Sequence, residues 1–207
     1  MKLDSELFIK KGIRKTLIIS FGGSQSGMGT LALFEFKNFL EKHFTSYDRL
    51  FYIDEHQDWY HQGIKGITHS VDETVTHLKH KIHGYERVIC IGSSSGGYAA
   101  ILFGSLLQVT SVIAFIPQTY RTQKGNIDEK YKDSIPFINN TTQYFLYGDL
   151  SITNIHSFHH ISHCERMIDN SKDTRNITII RKNPLDLIKI VWIEKELTNL
   201  INTIIQE

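Results

Sequence analysis

Residues 88–100 read VICIGSSSGGYAA, an apolar run followed by a turn of small residues and the start of a second apolar run. The first run predicts a buried strand and the second predicts a helix. Between them, Gly92 to Gly96 fits the pattern G-x-S-x-G, which is typical of a sharp strand-to-helix turn that presents a nucleophilic serine, here Ser94. Such a turn strains the serine main chain, and bulky neighbours two residues before or after it would collide. With an apolar run on each side, the motif predicts a nucleophile elbow.

The remaining sequence predicts strands that alternate with helices. Five further apolar runs predict strands at residues 15–21, 49–54, 111–116, 143–147 and 177–181. Helical periodicity is found at residues 30–44, 71–82, 161–168 and 186–205, and the elbow helix is expected to end near Leu107. This alternation predicts the α/β class, with a doubly wound, mainly parallel six-stranded sheet and helices on both faces. We expect one domain over residues 1–207.

Composition narrows the class of protein. The net charge of the 207 residues is +1, which argues against a nucleic-acid surface and a polybasic membrane patch. Cys90 and Cys164 do not make a disulfide framework. Residues 1–15 carry mixed charge without the apolar core of a signal peptide, which predicts a cytoplasmic protein. Residues 98–117 are uncharged, but polar residues interrupt them, so we favour a covered strand–helix unit over a membrane span.

The chain resembles the α/β-hydrolase superfamily in its compact form without a cap domain. More narrowly, FGG at 21–23, DWYH at 58–61, the elbow and AFIPQT at 114–119 resemble a bacterial group linked to capsule and surface-polysaccharide synthesis. Some members of this group are sugar O-acetyltransferases with a Ser-His-Asp triad. The resemblance implies acyl transfer or ester hydrolysis through Ser94, on a carbohydrate or other small ester substrate. It implies acetyl-CoA as a possible acyl donor and no bound cofactor.

The sequence departs from that group at both partners of the serine. The group has an aspartate after the fifth predicted strand and a histidine after the last one. Here HISHC at 160–164 has a histidine in the first place, and NPLDLI at 183–188 has an aspartate in the second. No histidine follows His163, so the base must come from a cluster of four: His156, His159, His160 and His163.

We expect that acid and base have exchanged loops. His160 would then be the base for Ser94, and Asp186 would orient His160. A triad is defined by geometry and not by chain order, so the exchange is physically allowed. Asp186 also fits an acidic residue in the first turn of a helix, a role compatible with the triad. Asp149, directly after a predicted strand, is the alternative acid.

Other residues are expected at the same rim, since ligands of such sheets bind at the carboxyl ends of the strands. In this fold the N–H of Ser95 and an N–H from the loop after the first predicted strand bind the oxyanion, and we assign the second to Gly23. Trp59 and Tyr60 could stack on a sugar or pack under their loop. Gln118 is expected to line the pocket.

Three alternatives to a serine acyltransferase or esterase remain open. His156, His160 and His163 share a spacing compatible with a metal site, as do the acids and histidines of residues 54–61, although we expect no metal. Residues 27–32 (GMGTLA) match a nucleotide-binding pattern, with Asp54 as the ribose acid. Ser94 could simply cap a helix in a non-catalytic binding protein of the same pathway.

Overall fold

Seven strands form one sheet in the computed structural model, which describes residues 5–12, 15–24, 34–121, 125–171, 174–182 and 191–206. The strands are β1 (Glu6–Ile9), β2 (Thr16–Phe21), β3 (Asp48–Tyr52), β4 (Arg87–Ser93), β5 (Ser111–Phe115), β6 (Gln143–Asp149) and β7 (Ile177–Lys182). The helices are α1 (Lys37–His43), α2 (Val71–Ile82), α3 (Ser95–Leu107), α4 (Ser162–Asp169) and α5 (Val191–Gln206). Two single-turn 3-10 helices lie at Glu129–Tyr131 and Ile135–Phe137.

The order of the strands is β1-β3-β2-β4-β5-β6-β7, and β2 to β7 are parallel. This confirms the doubly wound α/β class and all six predicted strands. The predicted strand count is one too low, because β1 adds an antiparallel edge next to β3. β1 has only four residues, all partly buried, so it lacks the apolar run that identifies the central strands.

The core lies in two layers, one on each face of the sheet. In β4, Val88 and Cys90 pack in the layer that contains buried residues of α2, α3 and α4. Ile89 and Ile91 point the other way and pack with buried residues of α1 and α5. Both faces are therefore covered, and each fully buried isoleucine contributes about 1.5–3 kcal/mol relative to an exposed one.

The uncharged region after the elbow is a strand–helix unit of this core. Every residue of α3 from Ser95 to Ser105 is buried, and β5 is buried along its whole length. Among the helices that the structure describes, none is long and apolar enough to cross a membrane.

The helix predicted for residues 30–44 starts later than expected. Its described part, α1, begins at Lys37 because Phe36 has a left-handed main chain (φ 59°), which a continuous helix does not allow. Residues 25–33 lie outside the described part of the chain, as do residues 183–190 of the predicted final helix.

The elbow glycines leave no room for a side chain. A Cβ on Gly92 would overlap the carbonyl oxygen of Gly96, and a Cβ on Gly96 would overlap the carbonyl oxygen of Phe21. These contacts are between main-chain atoms of packed elements, so rotating a side chain cannot relieve them.

We predict that Gly92→Ala lowers the free energy of unfolding by about 3 kcal/mol, because the new methyl group overlaps buried main chain. The matched control is Gly12→Ala, where φ is +68° but no atom lies within 4 Å of the new Cβ. That change should cost only about 1 kcal/mol of backbone strain. Urea unfolding of the two variants measures the difference, and equal losses would contradict the packing argument.

Candidate active site

Ser94 has the strained main chain that the elbow motif predicts. Its φ is 55° and its ψ is −122°, a conformation that costs a non-glycine residue about 1–3 kcal/mol. Neighbouring elements hold it there: the Ser94 N–H donates to Phe115 O (2.9 Å), and Ser94 O accepts from the Tyr98 N–H (3.1 Å). The hydroxyl is thereby presented at the N-terminus of α3, at the carboxyl edge of the sheet.

His159 contacts the serine. Its Nε2 lies 2.8 Å from Ser94 Oγ, which is hydrogen-bond distance. His159 lies in the turn between β6 and α4, where its main-chain N–H donates to Ser157 Oγ (3.3 Å). The ring is half-buried, and burial lowers the pKa of His159 below its ordinary value. Burial thus favours the neutral imidazole, the form that a general base requires.

His160, the expected base, has other partners. Its Nδ1 accepts a hydrogen bond from the Ser162 N–H (3.1 Å) at the start of α4. Its main chain forms a parallel bridge with Asp149, next to β6. The turn between Ser157 and His160 directs the two adjacent histidines to different surroundings. The contact expected for His160 thus belongs to its neighbour, and this corrects the choice within the histidine cluster.

The remaining two histidines of the cluster do not contact Ser94. His163 Nδ1 accepts from the Thr119 N–H (3.2 Å), and burial together with the nearby Arg166 lowers the pKa of His163 to about 4. His156 is exposed. Within the described part of the chain, no group of three or more histidine, cysteine or acidic side chains could hold a metal ion.

Of the two candidate acids, only Asp149 is among the described residues. It is buried at the end of β6, and its Oδ1 accepts from the Ser151 N–H (2.8 Å) and the Ser151 hydroxyl (2.6 Å). These bonds shape the turn after β6. Asp186 lies outside the described residues.

The two expected oxyanion donors lie beside the elbow. Ser95 is the first residue of α3, where main-chain N–H groups have no acceptor within the helix. The Gly23 loop rests on the elbow: a Cβ on Gly23 would lie 3.0 Å from Ser93 O, and the Ser24 N–H donates to Ser95 Oγ (2.6 Å). The Gly23 N–H, however, donates to the Glu35 carboxylate at 3.0 Å.

Glu35 is a residue of the site that the sequence did not indicate. Burial raises its pKa to about 7. The available signal was a single acid within the apolar run LALFEF at 31–36. A cavity of about 280 Å³ joins this residue to Ser94, and it is lined by Gly22, Gly23, Ser24, Phe34, Glu35, Ser93 and Ser94.

The three residues expected to bind substrate are buried. Trp59 is 2% exposed and packs on Tyr98 with ring centroids 5.2 Å apart. Tyr60 is fully buried, and its hydroxyl donates to Gly22 O at 3.0 Å. Gln118 is 4% exposed. Tyr60 therefore supports the main chain at Gly22, and the burial of Trp59 and Tyr60 favours packing under their loop over stacking on a sugar.

The nucleotide-binding alternative gains no support. Asp54, its expected ribose acid, is buried and its Oδ2 accepts from the Trp59 N–H at 2.7 Å, so it shapes its own loop. Residues 27–32 lie outside the described part of the chain.

Comparison with solved structures defines the class of fold. The chain is similar to a mutant form of the capsule O-acetyltransferase of Neisseria meningitidis serogroup A in complex with CoA (TM-score 0.63, 18% identity, 97% of this chain and 93% of that chain). It is also similar to the Paleococcus ferrophilus monoacylglycerol lipase (TM-score 0.58, 12% identity, 97% and 98%). A third similar structure is the Glycosylation Associate Protein (Gap123) complex from Streptococcus agalactiae (TM-score 0.63, 13% identity, 98% and 44%).

No family model and no curated protein matches the sequence. At these identities the structural likeness shows the fold alone. The chain has an α/β-hydrolase fold, as the resemblance noted from the sequence implied, and it carries a serine on the elbow between β4 and α3.

We predict that His159→Ala slows the reaction of Ser94 with a fluorophosphonate probe by at least about 10³-fold, because the serine hydroxyl loses the base that takes its proton. His160→Ala is the matched control. Its rate should stay within about threefold of the wild-type rate, since the His160 ring bonds to the Ser162 N–H and its removal leaves the contact between Ser94 and His159 intact. Labelling kinetics followed by intact-protein mass spectrometry make the measurement. If only the His160 variant lost labelling, the base would be His160 and the assignment of His159 would be wrong.

Proposed function

We propose that the chain is a serine acyltransferase or esterase that forms a covalent acyl intermediate on Ser94. The observation that carries this proposal is the 2.8 Å contact between Ser94 Oγ and His159 Nε2, made by a serine with a strained elbow main chain. A strained conformation persists only where the surrounding structure holds it, and such sites are frequently functional. A serine hydroxyl is a weak nucleophile until an adjacent base takes its proton.

In the proposed reaction, His159 Nε2 takes the Ser94 proton as the serine oxygen attacks the acyl carbonyl carbon. The carbonyl oxygen becomes an oxyanion that the N–H groups of Ser95 and Gly23 stabilise. When the carbon–leaving-group bond breaks, the imidazolium gives its proton to the leaving group. An acceptor hydroxyl then loses its proton to His159 and attacks the acyl carbon, which restores the Ser94 hydroxyl. Water in place of the acceptor gives ester hydrolysis.

We propose Asp186 as the acid that orients His159. In the parallel pairing of β6 with β7, Asp149 lies opposite Lys182, and the Leu150 N–H donates to Lys182 O at 2.7 Å. β6 and β7 therefore end side by side at the carboxyl edge of the sheet. His159 follows β6 by ten residues and Asp186 follows β7 by four, counted along the sequence. Because the two strands end at the same edge, an exchange of acid and base between the stretches that follow them is compatible with a triad, which is defined by geometry and not by chain order.

The proposed reaction is O-acetylation of a surface or capsular polysaccharide or its precursor, with acetyl-CoA as the donor. Two observations support this substrate class: the sequence motifs shared with the capsule group, and the structural similarity to a capsule O-acetyltransferase in complex with CoA. Acetyl-CoA enters as a substrate, so no bound cofactor is needed. The carboxyl edge of the sheet, where Ser94 and His159 meet, is where the acceptor sugar would bind.

We predict that the wild-type protein releases free CoA thiol from acetyl-CoA in the presence of an acceptor polysaccharide, and that Ser94→Ala lowers this rate by at least about 10³-fold. Ser93→Ala, which changes the preceding serine of the same turn, is the matched control and should keep most of the activity. Thiol release with and without acceptor is measured by a colorimetric reagent. Failure of the wild type both to release thiol and to react with a fluorophosphonate would favour a non-catalytic binding protein.

We predict that Asp186→Asn lowers kcat by about 10³- to 10⁴-fold, because the amide favours the wrong imidazole tautomer. Asp149→Asn should cost less than about tenfold, since Asp186 would still fill the role of the acid in that variant. The kcat of each variant on p-nitrophenyl acetate gives the comparison, with thermal unfolding as the control for folding. The reverse order of effects would assign the acid to Asp149.

A further inference from the structure

The Glu35 carboxylate occupies the Gly23 N–H that the proposed mechanism needs. Glu35 Oε2 lies 3.0 Å from Gly23 N. An oxyanion-hole donor is expected about 2.7–3.1 Å from the oxyanion. The Glu35 oxygen therefore lies as far from Gly23 N as the oxygen of a reacting substrate would. The same side chain lines the cavity of about 280 Å³ beside Ser94.

The main chain holds Glu35 in this place. The Ser20 hydroxyl, at the centre of the sheet in β2, donates to Glu35 O at 2.7 Å. The next residue, Phe36, has the left-handed main chain that ends the segment before α1. Glu35 is thus anchored to a central strand on one side and turned by its neighbour on the other. Its contact with Gly23 is part of the packed structure of the loop.

We propose that Glu35 is a positioning residue of the oxyanion site, which retains the Gly23 N–H when charged and releases it to the oxyanion when protonated. This inference rests on the proposed function, because an oxyanion forms only if Ser94 attacks an acyl group. Glu35 acts through Gly23 and makes no bond to the substrate.

The charge of Glu35 affects the reaction in two ways. A hydrogen bond to a carboxylate is about twice as strong as one between neutral groups, so the charged form competes better for the Gly23 N–H. A charged carboxylate also repels the negative oxygen that develops in the same cavity. Burial raises the pKa of Glu35 to about 7, so both effects change near neutral pH.

A titratable group that interacts with Glu35 is Tyr60, in the loop after β3, and the charge of Glu35 helps to raise the pKa of Tyr60. The charged residues of α1 that follow Glu35 in the sequence, Lys37 and Glu41, pair with each other at 2.7 Å. Among the described residues, no lysine or arginine forms an ion pair with Glu35, which leaves burial as the main influence.

The test compares kcat/KM for p-nitrophenyl acetate from about pH 5 to about pH 9 in the wild type and Glu35→Gln. In the wild type, kcat/KM should rise as His159 loses its proton and then fall, reaching about a tenth of its plateau one pH unit above a Glu35 pKa of about 7. In Glu35→Gln the rise should remain and the fall should disappear, because the amide does not ionise.

Glu41→Gln is the matched control, since it removes a carboxylate of α1 that pairs with Lys37, and it should keep the wild-type profile. Glu35→Ala gives a second variant and should also lack the alkaline fall. A wild-type profile without that fall, or a fall that persists in a folded Glu35 variant, overturns the role of Glu35 even if Ser94 reacts with a fluorophosphonate. A wild type whose Ser94 neither reacts with the probe nor hydrolyses the ester overturns the proposed function and this inference with it.

Discussion

The close approach of the elbow to the end of β2 is the constraint on which the site depends. β2 and β4 pair in parallel, with Phe21 opposite Gly92, so the carboxyl end of β2 reaches the turn that carries Ser94. Gly96 lies directly against the Phe21 carbonyl group, with no space for a Cβ. Gly22–Ser24, the described residues directly after β2, lie on the elbow, where the Ser24 N–H donates to Ser95 Oγ. One strand pairing thus positions both Ser94 and Gly23, the proposed second oxyanion donor.

The position of His159, the proposed base, depends on a different pairing, that of β6 with its neighbours. β6 lies beside β5, and the Ile116 N–H after β5 donates to Tyr147 O at 2.7 Å. The chain leaves β6 at Asp149 and returns to the sheet edge at His160, where the bridge between these two residues closes a loop. His159 stands directly before this bridge, which brings its ring to Ser94. The loop is long and mostly exposed, so its geometry comes from these few anchoring contacts.

The sequence predicted the elements whose signals are local. The elbow strand, the elbow helix and α2 (Val71–Ile82) were found at their observed positions within a residue or two, because apolar runs, small-residue turns and helical periodicity are properties of neighbouring residues. The edge strand β1 was missed, since four half-buried residues leave no such run.

The partners of Ser94 could not be predicted in the same way. Choosing His159 over His160 requires knowing how one turn orients two adjacent residues, and composition does not distinguish two histidines. The bond from Gly23 to Glu35 was also hidden, because Glu35 lies within residues 30–44, whose pattern predicted a continuous helix. The left-handed main chain of Phe36 shows that α1 starts only after Glu35.

Removal of water acts in opposite directions on the two titratable groups beside Ser94. Burial disfavours the charged form of any group, so it lowers the pKa of His159 and raises the pKa of Glu35. Both shifts favour the neutral side chain, which for Glu35 is the form present below about pH 7. A neutral imidazole can accept the serine proton, and a neutral carboxyl group does not oppose a negative oxygen. In the proposed mechanism the N–H groups of Ser95 and Gly23 would hold that oxygen as fixed dipoles. Partial burial therefore serves the proposed base and the proposed oxyanion site together, because it favours the neutral form of both His159 and Glu35.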